Sequence, residues 1–97
     1  TGERILAATA LDHGIINKIV ASELLMEETM RLAQKLAKQP PISLRLIKDS
    51  VNKAIDYSLH EGMQYERKNF YLLFGTEDQK EGMNAFMEKR KPNYQGK

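Results

Sequence analysis

The stretch Phe74-Gly75-Thr76-Glu77-Asp78-Gln79 decides the fold class, because it ends one helix and begins the next within a few residues. Its glycine suits the close of a helix. Thr76 and Gln79 have the spacing of a capping box, in which each side chain satisfies a free backbone N–H at the helix start. The pattern predicts a helix from this box to about Lys89, and Pro92 prevents its continuation.

Two further helices are predicted upstream of this junction. A second capping box, Ser58-Leu59-His60-Glu61, opens a helix that runs to about residue 74. Before it, Pro41 suits the first position of a helix over about residues 41–56. Both helices carry apolar residues at helical spacing on one face, which predicts that this face packs inward. The two sets are Leu44, Ile47, Val51, Ala54 and Ile55, and Leu59, Met63, Phe70, Leu73 and Phe74.

The remaining residues predict three more segments. A short alanine-rich helix is expected over residues 6–13, with Gly14 placed for a left-handed C-terminal cap. The β-branched run at residues 15–20 predicts a short strand or extended segment, which needs a partner strand or a packing surface from elsewhere. Ser22 is a good N-cap for a helix over residues 23–38. The predicted fold is therefore all-α, a small bundle of about four helices preceded by a short helix and an extended segment.

Two glycines, Gly62 and Gly82, lie inside predicted helices. Each costs about 1 kcal/mol there relative to alanine. We expect each to permit the close approach of another backbone or a ligand, and a tolerated defect is the alternative.

The composition indicates a single small domain of 97 residues and excludes several classes of function. With 15 basic and 13 acidic side chains, the net charge of +2 is too balanced to indicate nucleic-acid binding. No apolar run approaches the roughly 20 residues that span a bilayer, and the first residues lack a signal-peptide pattern. The absence of cysteine excludes a disulfide framework and a thiolate nucleophile, and it fits a reducing compartment.

The sequence predicts no catalytic residue and no metal site of its own. His13 and His60 lie at predicted helix ends, where surface or capping roles suit them better than a nucleophilic triad does. The paired carboxylates fall mostly at helix starts, where they cap the helix or keep it soluble. No HExxH motif, EF-hand or pair of histidines at helical spacing occurs.

Aromatic and basic residues leave two interpretations open. Phe70 and Phe74, at helical spacing, are more often core residues than a cofactor site. The run Lys89-Arg90-Lys91 is either a solvated helix end or a clamp for a phosphate group.

Several stretches taken together resemble the enoyl-CoA hydratase/isomerase (crotonase) family. The first is Thr1-Gly2-Glu3-Arg4, followed by Gly14-Ile15-Ile16-Asn17-Lys18-Ile19-Val20. Pro41-Ile42-Ser43-Leu44-Arg45-Leu46-Ile47-Lys48 is similar to a helix of that family. The strongest likeness is Phe74-Gly75-Thr76-Glu77-Asp78-Gln79-Lys80-Glu81-Gly82-Met83, continued by Glu88-Lys89-Arg90-Lys91-Pro92. The resemblance covers essentially all of the chain.

The resemblance implies that residues 1–97 are the C-terminal helical domain of a larger enzyme. Family members begin with a spiral of β-β-α units, which holds the oxyanion hole and, in hydratases, two catalytic glutamates. Nothing in this chain matches those elements, so we expect that the spiral domain is absent and that the fragment is inactive alone. By resemblance, Phe70 lines the acyl and CoA region, while Phe86 and Lys89 approach the CoA end, often from a neighbouring subunit.

The function implied for the parent enzyme is hydration of a 2-enoyl-CoA to a 3-hydroxyacyl-CoA in fatty-acid β-oxidation. The coenzyme A thioester is the substrate, and no other cofactor is expected. The expected partners are the chain's own spiral domain or neighbouring subunits in a homo-oligomer, with no nucleic acid and no membrane. The expected location is the bacterial cytoplasm or the mitochondrial matrix. Alternatives are a non-catalytic helical interaction module, a different crotonase activity such as enoyl-CoA isomerase, and a free-standing acyl-CoA-binding bundle.

Overall fold

The computed structural model describes residues 2–97 and has five α-helices, with no strand among the described residues. The all-α prediction is therefore confirmed. None of these helices is long and apolar enough to cross a membrane. The chain forms two compact units, one within Thr1–Gln34 and one of Lys35–Lys97. Thr1, the first residue of the N-terminal motif, lies outside the described residues. The helices are α1 (Ala7–Asp12), α2 (Leu25–Ala37), α3 (Pro41–Lys53), α4 (Leu59–Leu73) and α5 (Glu77–Met87).

In the first unit, α1 ends as its sequence predicts. Gly14 has a φ of +69°, the left-handed conformation that glycine adopts without strain. Residues 15–20 contain bends followed by irregular backbone, so the strand alternative is wrong and no partner strand is present in residues 2–97. Glu28 of α2 binds Lys18 at 2.5 Å and Arg31 at 2.7 Å, and these hydrogen bonds lower the pKa of its carboxyl.

The predicted N-cap at Ser22 is wrong. A 3₁₀ turn, Ser22–Leu24, precedes α2, and its N-cap is Ala21, whose carbonyl accepts the Leu24 N–H at 3.0 Å. Ser22 is therefore already inside the turn, where its hydroxyl is not in the N-cap position.

Helices α3 and α4 pack against each other in the second unit. Pro41 is at the start of α3, as predicted, but α3 ends at Lys53 rather than near residue 56. The Lys53 carbonyl there accepts both the Asp56 and the Tyr57 N–H, which closes a turn instead of extending the helix. The Ser58 capping box forms completely: the Ser58 Oγ accepts the Glu61 N–H at 3.3 Å, and Glu61 Oε2 accepts the Ser58 N–H at 3.1 Å.

Two polar pairs cross between α3 and α4. The Tyr65 hydroxyl donates to Asp49, and the buried Asn69 amide donates to Ser50 Oγ at 3.0 Å. The hydrogen bond to Asp49, together with partial burial, raises the pKa of Tyr65. These two hydrogen bonds fix the register of α3 against α4. The apolar side chains of both helices lie to one side of these bonds.

The start of α5 is only half a capping box. Thr76 Oγ1 accepts the Gln79 N–H at 3.1 Å, as predicted. The reciprocal bond of a capping box would run from the Thr76 N–H to the Gln79 side chain. Here the Thr76 N–H donates instead to the Leu73 carbonyl at 3.0 Å. The helix ends at Met87, two residues before the predicted end near Lys89, because Lys89 adopts a φ of 54°.

The predicted inward-facing stripes are largely exposed. Among the described residues, the buried apolar side chains are Ala10 and Ala85. Ile47 and Val51 of α3 are 59% and 63% exposed, and Leu59, Met63, Phe70 and Phe74 are also exposed. The stripes on α3 and α4 have the predicted spacing, but in the second unit each meets a single neighbouring helix, which leaves most of the apolar area uncovered.

Candidate functional site

An apolar groove lies between α3 and α4. It encloses about 530 Å³, within the range of small-molecule sites, and residues from both helices and from the turn between them line it. At its polar part, the Asn69 amide donates to Ser50 Oγ. The lining of the groove is mainly apolar, which suits it to bind an apolar group.

Phe70 lines this groove from α4 and is 56% exposed. Its ring meets that of Phe74 edge-on, with centroids 5.2 Å apart, and that of Tyr71 at 6.2 Å. The three rings form one aromatic surface on the exposed side of α4. Such a surface suits an acyl chain or a flat ring, or the side chains of another polypeptide.

Phe86 and Lys89 lie together at the end of α5, apart from the residues that line the groove. The Phe86 side chain is 82% exposed, and its carbonyl accepts the Lys89 N–H at 3.3 Å. The Arg90 N–H donates to the Ala85 carbonyl at 3.0 Å, and together these two bonds make a Schellman motif. The left-handed position, which is usually glycine, is occupied by Lys89 at a strain of about 1 kcal/mol.

Glu81 of α5 binds the chain just beyond Lys89. Its two carboxylate oxygens accept Arg90 Nη1 at 2.6 Å and Nη2 at 2.8 Å, and Oε1 also accepts the Asn93 N–H at 2.8 Å. Arg90 Nε also donates to Glu88 at 2.5 Å. The Arg90 guanidinium, and then the Asn93 N–H, lower the pKa of Glu81 to about 2, and the pKa of Arg90 is raised mainly by Glu81.

The tail beyond Asn93 lies along α5. Asp78 is 3% exposed and accepts the N–H groups of Gln95 and Gly96 at 2.7 and 2.8 Å. A Cβ built on Gly82 would lie 3.2 Å from the Tyr94 hydroxyl. Gly82 therefore permits the close approach of a side chain of the same chain, Tyr94, rather than of another backbone.

Gly62, by contrast, has no atom within 4 Å of an added Cβ. It lies on the wall of the α3/α4 groove. Among residues 2–97, no group makes the close approach to Gly62 that the sequence predicts.

The remaining polar residues have structural roles. The Glu61 carboxylate belongs to the cap of α4, and its hydrogen bonds to Ser58 lower its pKa. His60 pairs with Gln64 of the same helix at 3.0 Å. Residues 2–97 contain no group of three or more His, Asp or Glu placed to hold a metal ion.

The anchoring of the tail was not foreseen from the sequence. Arg90 lies nine positions after Glu81 in the sequence, and Asn93 lies twelve positions after it. Both meet Glu81 only because the chain reverses at Lys89. A glycine at position 89 would have signalled this reversal, and lysine conceals it.

Comparisons with known proteins identify relatives along the whole chain. Residues 1–97 match the family model described as enoyl-CoA hydratase/isomerase. The chain is 46% identical over 94 residues to the mitochondrial enoyl-CoA hydratase of Pongo abelii, covering 97% of this chain and 32% of that protein. It is 40% identical to the probable mitochondrial enoyl-CoA hydratase of Dictyostelium discoideum, over 100% of this chain and 35% of that protein.

Solved structures give the same result. A subunit of an enoyl-CoA hydratase from Geobacillus kaustophilus has a TM-score of 0.92 and 68% identity, over 99% of this chain and 37% of that one. The Bacillus anthracis enoyl-CoA hydratase has a TM-score of 0.93 and 38% identity, over 99% of this chain and 37% of that one. The chain thus spans about a third of the length of the proteins that it matches.

Proposed function

Because the chain belongs to the enoyl-CoA hydratase/isomerase family, we propose that it is the C-terminal helical domain of an enoyl-CoA hydratase. In this proposal the parent enzyme adds water across the double bond of a 2-enoyl-CoA, as a step of fatty-acid β-oxidation. In this scheme the oxyanion hole and the catalytic carboxylates belong to the spiral domain of the parent enzyme. The helical domain closes the acyl-CoA pocket and takes part in subunit assembly.

The observation that carries the proposal is likeness along the full chain to proteins named as hydratases. The Pongo abelii relative is matched over 97% of this chain at 46% identity, and its name specifies a hydratase. The family description includes isomerases, so enoyl-CoA isomerase is the alternative activity for the same substrate class. The relatives include mitochondrial and bacterial proteins, which supports a location in the mitochondrial matrix or the bacterial cytoplasm.

The three candidate residues fit a CoA thioester in different ways. Phe70 offers an exposed aromatic face beside an apolar groove, which suits the acyl part. Phe86 and Lys89 offer a ring and an ammonium group in the same turn, which suits the nucleotide end with its phosphates. The thioester is the substrate in this scheme, and the domain holds no further cofactor.

A chimeric enzyme tests this proposal. The chain replaces the matching 37% of the Geobacillus kaustophilus hydratase, with which it shares 68% identity. We expect the chimera to hydrate crotonyl-CoA at a rate comparable to that of the unaltered enzyme and the chain alone to show no turnover. The unaltered enzyme is the positive control, and crotonyl-CoA without protein is the blank.

Two results would overturn the proposal. One is a chimera that assembles like the unaltered enzyme but leaves crotonyl-CoA unchanged. The other is turnover by the rigorously purified chain alone.

A second candidate function rests on the exposed apolar face of α3 and α4. Ile47 and Val51 are mostly exposed, and a helical module that associates through this face would cover them. Sedimentation of the isolated chain tests this idea. A concentration-dependent oligomer supports it, and a folded monomer at high concentration contradicts it.

A further inference from the structure

We propose that Glu81 is a positioning residue for Lys89, holding the turn that presents the lysine ammonium to the phosphates of a CoA thioester. The proposal rests on the proposed function, because it assumes that Lys89 meets the nucleotide end of the substrate. It goes further by assigning a role to a carboxylate that contacts neither substrate nor reacting atoms.

The first support is the backbone of Lys89. Its φ of 54° reverses the chain, so the residues after it do not continue the axis of α5. A non-glycine residue in this conformation persists only where the surrounding structure fixes it on both sides. On the N-terminal side, the two bonds of the Schellman motif to Phe86 and Ala85 do so.

On the C-terminal side, the fixing group is Glu81. Both of its oxygens bind the Arg90 guanidinium in a fork, the geometry in which arginine and carboxylate pair most specifically. The same carboxylate accepts the Asn93 N–H at 2.8 Å, so it binds the chain one and four residues after Lys89. The Glu81 side chain is 24% exposed and the Arg90 side chain 42%, so solvent partly screens the pair.

The charges fit this division of roles. Arg90 is engaged by Glu81 and Glu88, whereas the ion pairs within residues 2–97 do not include Lys89. The exposed Lys89 thus keeps its ammonium group for an external anion. The sequence alone gives Lys89 and Arg90 as equivalent neighbours, and the structure separates an anchoring cation from a binding cation.

The test compares two substrates in the chimeric enzyme described above. Crotonyl-CoA has the phosphates, and crotonyl-pantetheine lacks them. We expect Glu81→Gln to raise the KM for crotonyl-CoA about threefold to fivefold, the weight of a partly exposed ion pair, with kcat little changed. The KM for crotonyl-pantetheine stays at its wild-type value.

Matched variants separate positioning from general damage to the fold. Glu28→Gln removes a carboxylate that also binds two basic side chains, but within the first unit, and it leaves both KM values unchanged. In a Lys89→Met background, adding Glu81→Gln causes no further rise in KM, because the two residues act on one interaction. Amide hydrogen exchange at Asn93 accelerates in Glu81→Gln and confirms that the anchor has been released.

Three outcomes would overturn the proposal. Equal effects of Glu81→Gln on both substrates would indicate general damage, and additive effects with Lys89→Met would make the residues independent. An unchanged KM for crotonyl-CoA with released Asn93 would show that the anchor does not position Lys89. A correctly assembled chimera without Glu81→Gln that shows no turnover is a different result, because it overturns the proposed function itself.

Discussion

Lys89 has a backbone conformation that glycine adopts without strain and a side chain that glycine lacks, so two substitutions separate these properties. Lys89→Gly keeps the left-handed turn at a φ of 54°, and Lys89→Ala strains it. We expect the glycine variant to be about 1 kcal/mol more stable than the alanine variant in urea denaturation. Both variants raise the KM for crotonyl-CoA, and equal stabilities would contradict the left-handed assignment.

Glu81 sets the pH range in which its own contacts with Arg90 and Asn93 persist. Its pKa falls from 4.5 to about 2, chiefly because of the hydrogen bonds from Arg90. A carboxyl whose pKa is lowered by folding stabilises the native state above its unfolded pKa. The stabilisation is therefore complete at neutral pH and is lost as the pH falls from about 4.5 through about 2.

An NMR titration of the Glu81 carboxyl carbon measures this midpoint directly. We expect it near the lowered pKa of about 2, with the Asn93 amide shift following the same curve. In Arg90→Gln the midpoint moves back toward 4.5, since the main cause of the shift is removed. A wild-type midpoint close to 4.5 would show that the ion pair does not form in solution.

At the scale of a helix, two serines that look alike in the sequence differ in their effect on stability. Ser58 caps α4 with reciprocal bonds to Glu61, while Ser22 lies inside a 3₁₀ turn whose N-cap is Ala21. We expect Ser58→Ala to cost about 1 kcal/mol. Ser22→Ala stays within about 0.5 kcal/mol of the wild type. Urea denaturation of the two variants checks this, and equal losses would contradict the cap assignments.

This contrast explains which elements could be predicted. Helices α3, α4 and α5 begin where their sequences indicate, because proline and capping residues act on the backbone nearest to them. The ends of these helices were less predictable. Helix α3 stops where two N–H groups share the Lys53 carbonyl, and α5 stops where Lys89 adopts a left-handed conformation. The shared carbonyl at the end of α3 has no local sequence signal. The left-handed turn after α5 has none either, because the turning residue is Lys89 rather than glycine.

The candidate site was only partly accessible to sequence reasoning. The neighbourhood of Phe86 and Lys89 follows from their spacing in one helical turn, whereas the contacts of Glu81 with Arg90 and Asn93 depend on a chain reversal. Apolar spacing on α3 and α4 predicted which side chains share a face. It could not predict that the face stays uncovered, because burial depends on what lies opposite.

For the whole molecule, the exposed face of α3 and α4 allows a test of whether assembly can be separated from folding. Val51 is 63% exposed within the chain, so Val51→Asp should leave the folding of the chain nearly unchanged. In the chimeric enzyme, we expect the same change to block assembly, because a charge would be buried without a partner. Sedimentation of the chimera measures this, with Asn52→Asp, an exposed neighbour on the same helix, as the control.

A chimera that assembles normally with Val51→Asp would show that this face stays open to solvent in the complete enzyme. The groove would then be free for the acyl part of the substrate. Assembly would have to use other surfaces, of which the exposed end of α5 around Phe86 is one.

The packing of Tyr94 on Gly82 has a consequence for how such sequences diverge. An alanine at position 82 would place its Cβ 3.2 Å from the Tyr94 hydroxyl, so the tyrosine ring must shift by a few tenths of an ångström to admit it. We therefore expect alanine at position 82 to be better tolerated beside a smaller residue at position 94. Gly62, which meets nothing within 4 Å in this chain, carries no such restriction from within the domain.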